Sequence, residues 1–279
     1  MRSQMILESK ISCEKYLEYS ACRVWFFLVV FLLLNLGVSG IIKAEEMVLI
    51  PEGPFTMGSS EEDILWAAKH FHSETLDWYR DETPSHKVAL PAFRMDKYEV
   101  SVGDYKLYME ATGMPAPREF ENSRLNHPRQ PVVSISWQQA RDYCLWAKKR
   151  LPTEEEWEKA ARGTDARHYP WGNEPDALNA NIIGKGDSYR NTSPGGRFSE
   201  GVSPYGVMDM AGNVWEWTED WYKPYPGNQY DNELYGEKFK VIKGGSWHSN
   251  LDLARPAVRG KALMDQKKNY IGFRCVSSK

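Results

Sequence analysis

From Thr164 to the C-terminus the chain is dominated by glycine, asparagine, proline and aromatic residues, and no long segment keeps a helical or alternating period. Eight of the eleven tryptophans lie between Trp137 and Trp247. Rings at that density bury large areas while each indole N–H needs an acceptor, which suits a compact fold low in regular structure and rich in side chain to backbone bonds. The length of 279 residues and an ordinary apolar fraction leave ample material for a core. No repeat, low-complexity tract or long linker divides the sequence. One domain of mixed helix and strand with abundant loops is expected.

The preceding half carries clearer local signals. Met47 to Ser59, MVLIPEGPFTMGS, alternates apolar residues and turns at Glu52-Gly53-Pro54, which predicts an opening hairpin. Residues 61–78 show helical spacing through Ile64, Leu65, Ala68 and Phe71, and a strand is predicted over His86 to Tyr98. Ser101 with Asp104, Ser136 with Gln139, and Thr153 with Glu156 each place a hydroxyl before a first turn and an acceptor three residues on, predicting three helix starts. In the second of these helices Trp137, Ala140, Cys144 and Ala147 share one face, so Cys144 points inward. The third helix, Glu154 to Arg162, stops at Gly163, and its Glu154-Glu155-Glu156 run reads as charge that favours the helix dipole.

Val24 to Leu34 is a run of eleven apolar residues behind Arg23, followed by small residues at Val38, Ser39 and Gly40. A spanning stretch of about twenty apolar residues would have to cross Asn35, Gly37 and Ser39. The segment therefore predicts export, with residues 1–44 as a signal peptide cut near Gly40 or Ala44, or as an uncleaved anchor over residues 24–42. The domain proper is then 45–279, in a periplasmic or extracellular compartment. Residues 1–40 hold four of the 35 basic and three of the 38 acidic side chains, which leaves 31 and 35 and a formal charge of −4. A nucleic-acid partner needs a basic field, and none is visible. Cys13 and Cys22 precede the apolar run, so Cys144 and Cys275 alone reach the exported side, where two cysteines most simply pair.

Three runs carry a resemblance: YGVMDMAGNVWEWTEDWY (Tyr205 to Tyr222), KGGSWHS (Lys243 to Ser249) and the closing GFRC (Gly272 to Cys275). With the segment ETPSHKVALPAFRMDKYEVSVGDYKLYMEATG they resemble the formylglycine-generating enzyme family, the sulfatase-modifying factor domain, over about Met47 to Val276. The resemblance implies an α+β fold related to C-type lectins and a disulfide joining Cys144 to Cys275. It also implies two structural calcium sites. One takes the side chains of Asp209 and Glu216 with the carbonyls of Gly212 and Val214, a spacing in which end carboxylates and middle carbonyls can wrap a hard cation. The second takes Asn181 and Asp187 with the carbonyls of Ile182 and Tyr189, on a loop shorter than usual for the family. The KGGSW turn begins the substrate groove in the family's enzymes, with Ser246 and Trp215 as lining candidates and His248 and Ser249 beside them.

The same resemblance raises a conflict over chemistry. The family's oxidases, which convert a sulfatase cysteine to formylglycine, bind copper through two cysteines after the GGS turn. Here those positions are Ser249 and Ala254. Soft thiolate selects Cu(I), and neither residue supplies it, so copper is not expected. A related branch, the ergothioneine-type sulfoxide synthases, uses three histidines, whereas His70, His72, His86, His127, His168 and His248 show no helical H-x-x-x-H spacing. His70 and His72 could share one side of an extended segment. Ser246 lies in G-G-S-W and not in a nucleophile elbow. The expectation is an exported, calcium-stabilised binding or accessory factor with a protein or peptide partner; a metal-dependent oxidoreductase and a structural component of an envelope complex are the alternatives.

Overall fold

The computed structural model describes residues 46–184 and 189–278. The expectations for the Val24 to Leu34 segment and for Asp187 as a calcium ligand fall outside the described residues. Among the described residues nine strands and four α-helices follow in the order β1 (Met47–Ile50), β2 (Gly53–Met57), α1 (Glu61–His70), β3 (His86–Leu90), β4 (Phe93–Asp96), α2 (Val102–Thr112), α3 (Trp137–Trp146), α4 (Glu154–Arg162), β5 (Trp215–Trp221), β6 (Phe239–Lys243), β7 (Gly260–Leu263), β8 (Ile271–Gly272) and β9 (Val276–Ser278). They build a four-stranded sheet in the order β7-β6-β5-β8, a three-stranded sheet β1-β4-β9 and a two-stranded ribbon β2-β3. Strand β5 is antiparallel to β6 and parallel to the short β8.

The predicted opening hairpin does not form. β1 pairs with β4 (Met47 opposite Asp96, Ile50 opposite Phe93), while β2 pairs with β3 (Gly53 opposite Leu90). The Glu52-Gly53-Pro54 turn passes the chain from one sheet to another, and Gly53 with φ of 124° takes a conformation that favours glycine. The predicted strand over 86–98 divides at Pro91, where β3 leaves the ribbon and β4 enters the three-stranded sheet. The α-helix predicted over 61–78 ends at His70, and a 3₁₀ turn takes up Asp77–Glu82. His70 thus closes a helix and stacks on Trp66, with ring centroids 5.2 Å apart, in place of sharing an extended edge with His72.

The capping chemistry acts as expected. Ser136 and Thr153 each accept from the N–H three residues on and in return donate their own N–H to the Gln139 or Glu156 side-chain oxygen, and Ser101 accepts from the Asp104 N–H. Helix α3 buries Trp137, Ala140 and Cys144 in the main apolar cluster, and Cys144 is bonded to Cys275. The indoles satisfy themselves largely on backbone: Trp217 Nε1 donates to the Ile135 carbonyl at 2.9 Å and Trp137 Nε1 to the Thr218 carbonyl at 2.8 Å.

Helix α4 departs from its sequence reading in one respect. Its acidic first turn faces inward, with Glu154, Glu156 and Glu158 buried beside Lys159 and Arg162. Buried charges of this kind persist only when paired. Glu154 receives a two-bond clamp from Arg259 (2.7 and 2.9 Å), Glu156 one from Arg150 (both 2.6 Å), and Glu158 meets Arg162 and Lys243 at 3.0 and 3.1 Å. The helix is a polar strut through the middle of the fold.

Candidate functional site

Strand β6 ends at Lys243 and delivers the chain into the turn Gly244-Gly245-Ser246. A Cβ on Gly244 (φ 96°) would sit 2.9 Å from the Trp157 ring, and one on Gly245 (φ 74°) 2.9 Å from the Leu253 carbonyl oxygen, so both positions need glycine for conformation and for space. Ser249 folds back on the turn. Its Oγ accepts from the Ser246 N–H at 3.0 Å and lies 3.2 Å from Ser246 Oγ, while its own N–H donates to the Ser246 carbonyl at 2.9 Å. Ser246 and Ser249 are both buried, and Ala254 is wholly enclosed with Ala180, Ile182 and Ala211. At the two positions of interest there is a hydroxyl engaged in holding a turn and a methyl group in an apolar cluster.

Beside this turn lies a cleft of about 570 Å³ lined by Ile182, Ile183, Tyr189, Arg190, Trp247 and His248. Trp247 is pinned by its indole N–H on the Asn269 carbonyl at 3.3 Å, and His248 packs against Trp247 and Tyr270. Of the groove candidates from sequence, His248 lines this cleft, and Ser246 and Ser249 are buried in the adjoining turn. Trp215 does not: it is in the main apolar cluster, its ring filling the space over Gly260. The aromatic wall is the half-buried Trp247, which sequence reasoning passed over although it stands in the same GGSWHS run.

The two proposed cation loops meet behind the cleft. Asn181 forms a parallel bridge with Gly212, the Asn213 N–H donates to the Asn181 carbonyl at 2.7 Å, and the Ile183 N–H donates to the Ser249 carbonyl at 2.8 Å. Asn181 Nδ2 donates to the Asn191 carbonyl (2.9 Å) and to Asn213 Oδ1 (3.0 Å), which leaves its Oδ1 buried without a partner. An orphaned acceptor oxygen is what a hard cation requires, so Asn181 fits a calcium ligand. Tyr189 stands at the cleft, with its ring 6.5 Å from that of Phe198. In the second loop Asp209 (φ 58°), Gly212 (φ 79°) and Asn213 (φ 60°) all take left-handed backbone, curling Asp209 to Val214 tightly. Burial pushes the Asp209 carboxyl up to about 6; the Gly196 N–H on Oδ2 at 2.6 Å and the Arg274 charge oppose this, and Glu216 adds to it.

Glu216 fits the ligand role poorly. It is the second residue of β5, fully enclosed, and both its oxygens are bonded by Arg274 (2.7 and 2.8 Å), with Trp157 Nε1 adding a third bond at 2.9 Å. Arg274 in turn donates to the carbonyls of Asp96, Lys97 and Met208, so the pair ties the C-terminal GFRC segment to three other parts of the chain. A carboxylate in this neighbourhood with a buried oxygen to spare is Glu99, whose Oε2 accepts from Asn213 Nδ2 at 2.7 Å and whose Oε1 has no partner. Burial, then the nearby Asp209 and Glu216, hold its pKa well above the usual carboxylate range. The sequence signal for it is slight: one acid between Tyr98 and the fully buried Val100.

Residues 39–279 match the sulfatase-modifying factor enzyme 1-like domain. The chain belongs to this family. The formylglycine-generating enzyme of Bos taurus is 29% identical over 293 residues, spanning 83% of this chain and 74% of that enzyme. The hercynine oxygenase of Mycolicibacterium smegmatis is 31% identical over 270 residues, spanning 81% of this chain and 60% of the relative. Among solved structures, PvdO of Pseudomonas aeruginosa superposes with a TM-score of 0.66 at 27% identity, covering 84% of this chain and 94% of PvdO. The α+β fold with little regular structure is therefore that of the sulfatase-modifying factor family.

The histidines of this family member are dispersed. His86 Nδ1 lies 2.9 Å from the Pro84 carbonyl, His168 stacks on Trp66 and meets Asp63 at 3.2 Å, and His248 alone lines the cleft. Among the described residues no three His, Cys, Asp or Glu side chains gather as a metal cage, so a cation at the Asp209 or Asn181 loop would depend on backbone carbonyls beside its side-chain oxygens.

Proposed function

We propose that this member of the sulfatase-modifying factor family is an exported, calcium-stabilised binding protein that receives an extended peptide or a small ligand in the cleft walled by Trp247 and His248. It serves as an accessory or maturation factor for a secreted or envelope protein. The observation that carries this reading is the chemistry at Ser249 and Ala254: one hydroxyl is engaged with Ser246 and one methyl is enclosed, so the thiolate pair by which the oxidases bind copper has no counterpart. The cleft itself is built for contact, with a fixed indole, an imidazole and the Arg190 guanidinium at one opening.

The test uses the exported protein incubated with a copper salt, reductant and a sulfatase-type C-x-P-x-R peptide. Oxygen uptake and the mass of the peptide cysteine are followed, and binding is read by indole fluorescence. The expected outcome is an unchanged cysteine and no uptake above the protein-free control. Any fluorescence response should be weakened in Trp247→Ala. Conversion of the cysteine to formylglycine would overturn the reading and restore an oxidase.

A further inference from the structure

A second cleft, of about 510 Å³, opens between the β2-β3 ribbon, the first turn of α4 and the chain leaving β5, and it shares no lining residue with the cleft beside Trp247. Its lining combines the apolar Met57 and Val88, the aromatic Trp221 and Tyr225, and the carboxylates Glu155 and Asp220. The acids on either side of Glu155 in the helix have their cations: Arg259 clamps Glu154 and Arg150 clamps Glu156. Glu155 and Asp220 form no salt bridge among the described residues. The cations lining the cleft are engaged elsewhere, Lys87 on the Thr56 hydroxyl, Lys223 on Glu237 and Arg259 on Glu154, and the His86 Nδ1–H is given to the Pro84 carbonyl. Asp220 Oδ2 accepts the Glu154 N–H at 2.6 Å, which leaves Oδ1 for another donor. Burial raises both carboxyls above their ordinary values, and the Asp220 charge adds to the rise at Glu155. The same wall already hosts cations of the chain itself: Arg259 lies over the Tyr225 ring at 4.1 Å while it clamps Glu154, and Lys240 lies over the Trp221 ring at 3.9 Å. Glu155 and Asp220 carry that pairing of ring and carboxylate into an open cleft, where no side chain of the protein completes it.

We propose that this cleft is a second ligand site, which takes an arginine side chain of an extended peptide, its alkyl stem against the apolar and aromatic lining and its guanidinium shared by Glu155 and Asp220. A guanidinium suits the site better than an ammonium group. It is planar and weakly hydrated, it stacks on aromatic faces, and its separate N–H edges can serve two carboxylates at once. The site does not depend on what the Trp247 cleft binds.

The test follows the indole N–H signals of isotope-labelled, full-length protein by NMR during titration with Nα-acetyl-arginine amide, with its lysine counterpart, and with the uncharged citrulline counterpart of the same shape. The Trp221 signal is assigned from Trp221→Phe and the Trp247 signal from Trp247→Ala. The arginine probe should shift Trp221 saturably and leave Trp247 in place, the lysine probe should bind more weakly, and the citrulline probe should leave Trp221 unmoved. Glu155→Gln should weaken arginine binding by about tenfold, the worth of one charge-assisted hydrogen bond. Asp220→Asn, which keeps an acceptor for the Glu154 N–H, should weaken it similarly, and Glu155→Lys should abolish it. A Trp221 signal that the arginine probe does not move, or that citrulline moves equally, overturns the site. Binding of wild-type strength in both Glu155→Gln and Asp220→Asn overturns the assignment of the two carboxylates, and lysine binding as tightly as arginine overturns the choice of guanidinium.

Discussion

Removing Glu158 and removing Lys243 should have unequal consequences, although the two form one buried ion pair. Lys243 Nζ lies 3.1 Å from Glu158 Oε2 and 3.6 Å from Glu154 Oε1, with both pairs almost fully enclosed. Without Lys243, each carboxylate keeps its own guanidinium, Arg162 on Glu158 and Arg259 on Glu154, and Glu158 also keeps the Gly58 N–H at 2.7 Å. Lys243→Met fills much of the same volume and leaves chiefly the Ala257 carbonyl short of a donor, so its cost is about 1–2 kcal/mol. Without the Glu158 charge, Arg162 loses the carboxylate it meets among the described residues and Lys243 is left with the longer carboxylate contact, to Glu154. Glu158→Gln should therefore cost about 3–5 kcal/mol, the range for stranding a buried charge. In the double variant one of the two stranded cations is absent, so the total should fall short of the sum by about 1 kcal/mol or more. Urea unfolding followed by tryptophan fluorescence, with the disulfide intact and slopes compared, measures all three. Equal costs for the single variants, or additivity within about 0.5 kcal/mol, would refute this account of the strut.

Two further effects follow from local geometry. Burial pushes Asp63 upward, but the hydrogen bonds from His168 and Ser60 outweigh it and hold the folded pKa well below the ordinary 3.8. A depressed carboxylate stabilises fully above its unfolded pKa and loses that contribution on acidification, so Asp63→Asn should cost about 1 kcal/mol at pH 7 and progressively less below about pH 4, as measured by melting temperature against pH. The Cys144 to Cys275 bond closes a loop of 131 residues, for which chain entropy gives about 5 kcal/mol. The Cys144→Ala/Cys275→Ala double variant should unfold at much lower urea, with a reductant-insensitive midpoint, and a shift below about 1 kcal/mol would count against the entropic argument.

What could be read from the sequence was what depends on near neighbours. The helix starts at Ser101, Ser136 and Thr153 follow from a hydroxyl and its acceptor within four residues, and the inward face of α3 from the spacing of Trp137, Ala140 and Cys144. What escaped depends on distant partners. Met47 pairs with Asp96 and not with the next strand, which no local turn signal reveals. Strand β5 shows no alternation because Trp215, Glu216, Trp217 and Thr218 are all buried, so the period-2 signal is erased where the sheet is covered on both faces. The acids of α4 look like surface charge until Arg259 and Lys243 arrive from about a hundred residues away. Trp215 and Trp247 each stand in one of the runs that carry the family resemblance, yet the first packs inward and the second walls the cleft.

The turn that in the family's oxidases precedes the reactive cysteines is fixed here by packing and backbone bonds. Gly244 and Gly245 are held by the Trp157 ring and the Leu253 carbonyl, and Ser249 locks onto Ser246. The turn therefore keeps its shape with Ser249 and Ala254 at these two positions. The cleft wall is also bonded to the Asn181 and Asp209 loops: the Gly212 N–H donates to the Gly244 carbonyl at 2.7 Å, the Trp247 N–H to the Asn213 carbonyl at 2.9 Å, and the Ile183 N–H to the Ser249 carbonyl at 2.8 Å. Asn213 therefore joins Trp247 through its backbone and Glu99 through its side chain. A calcium ion at the Asp209 to Val214 loop, as proposed above, would stiffen that loop from one side while Trp247 leans on it from the other. Ligand affinity in the cleft should then rise with calcium, since ordering already supplied by one ligand need not be supplied by the next.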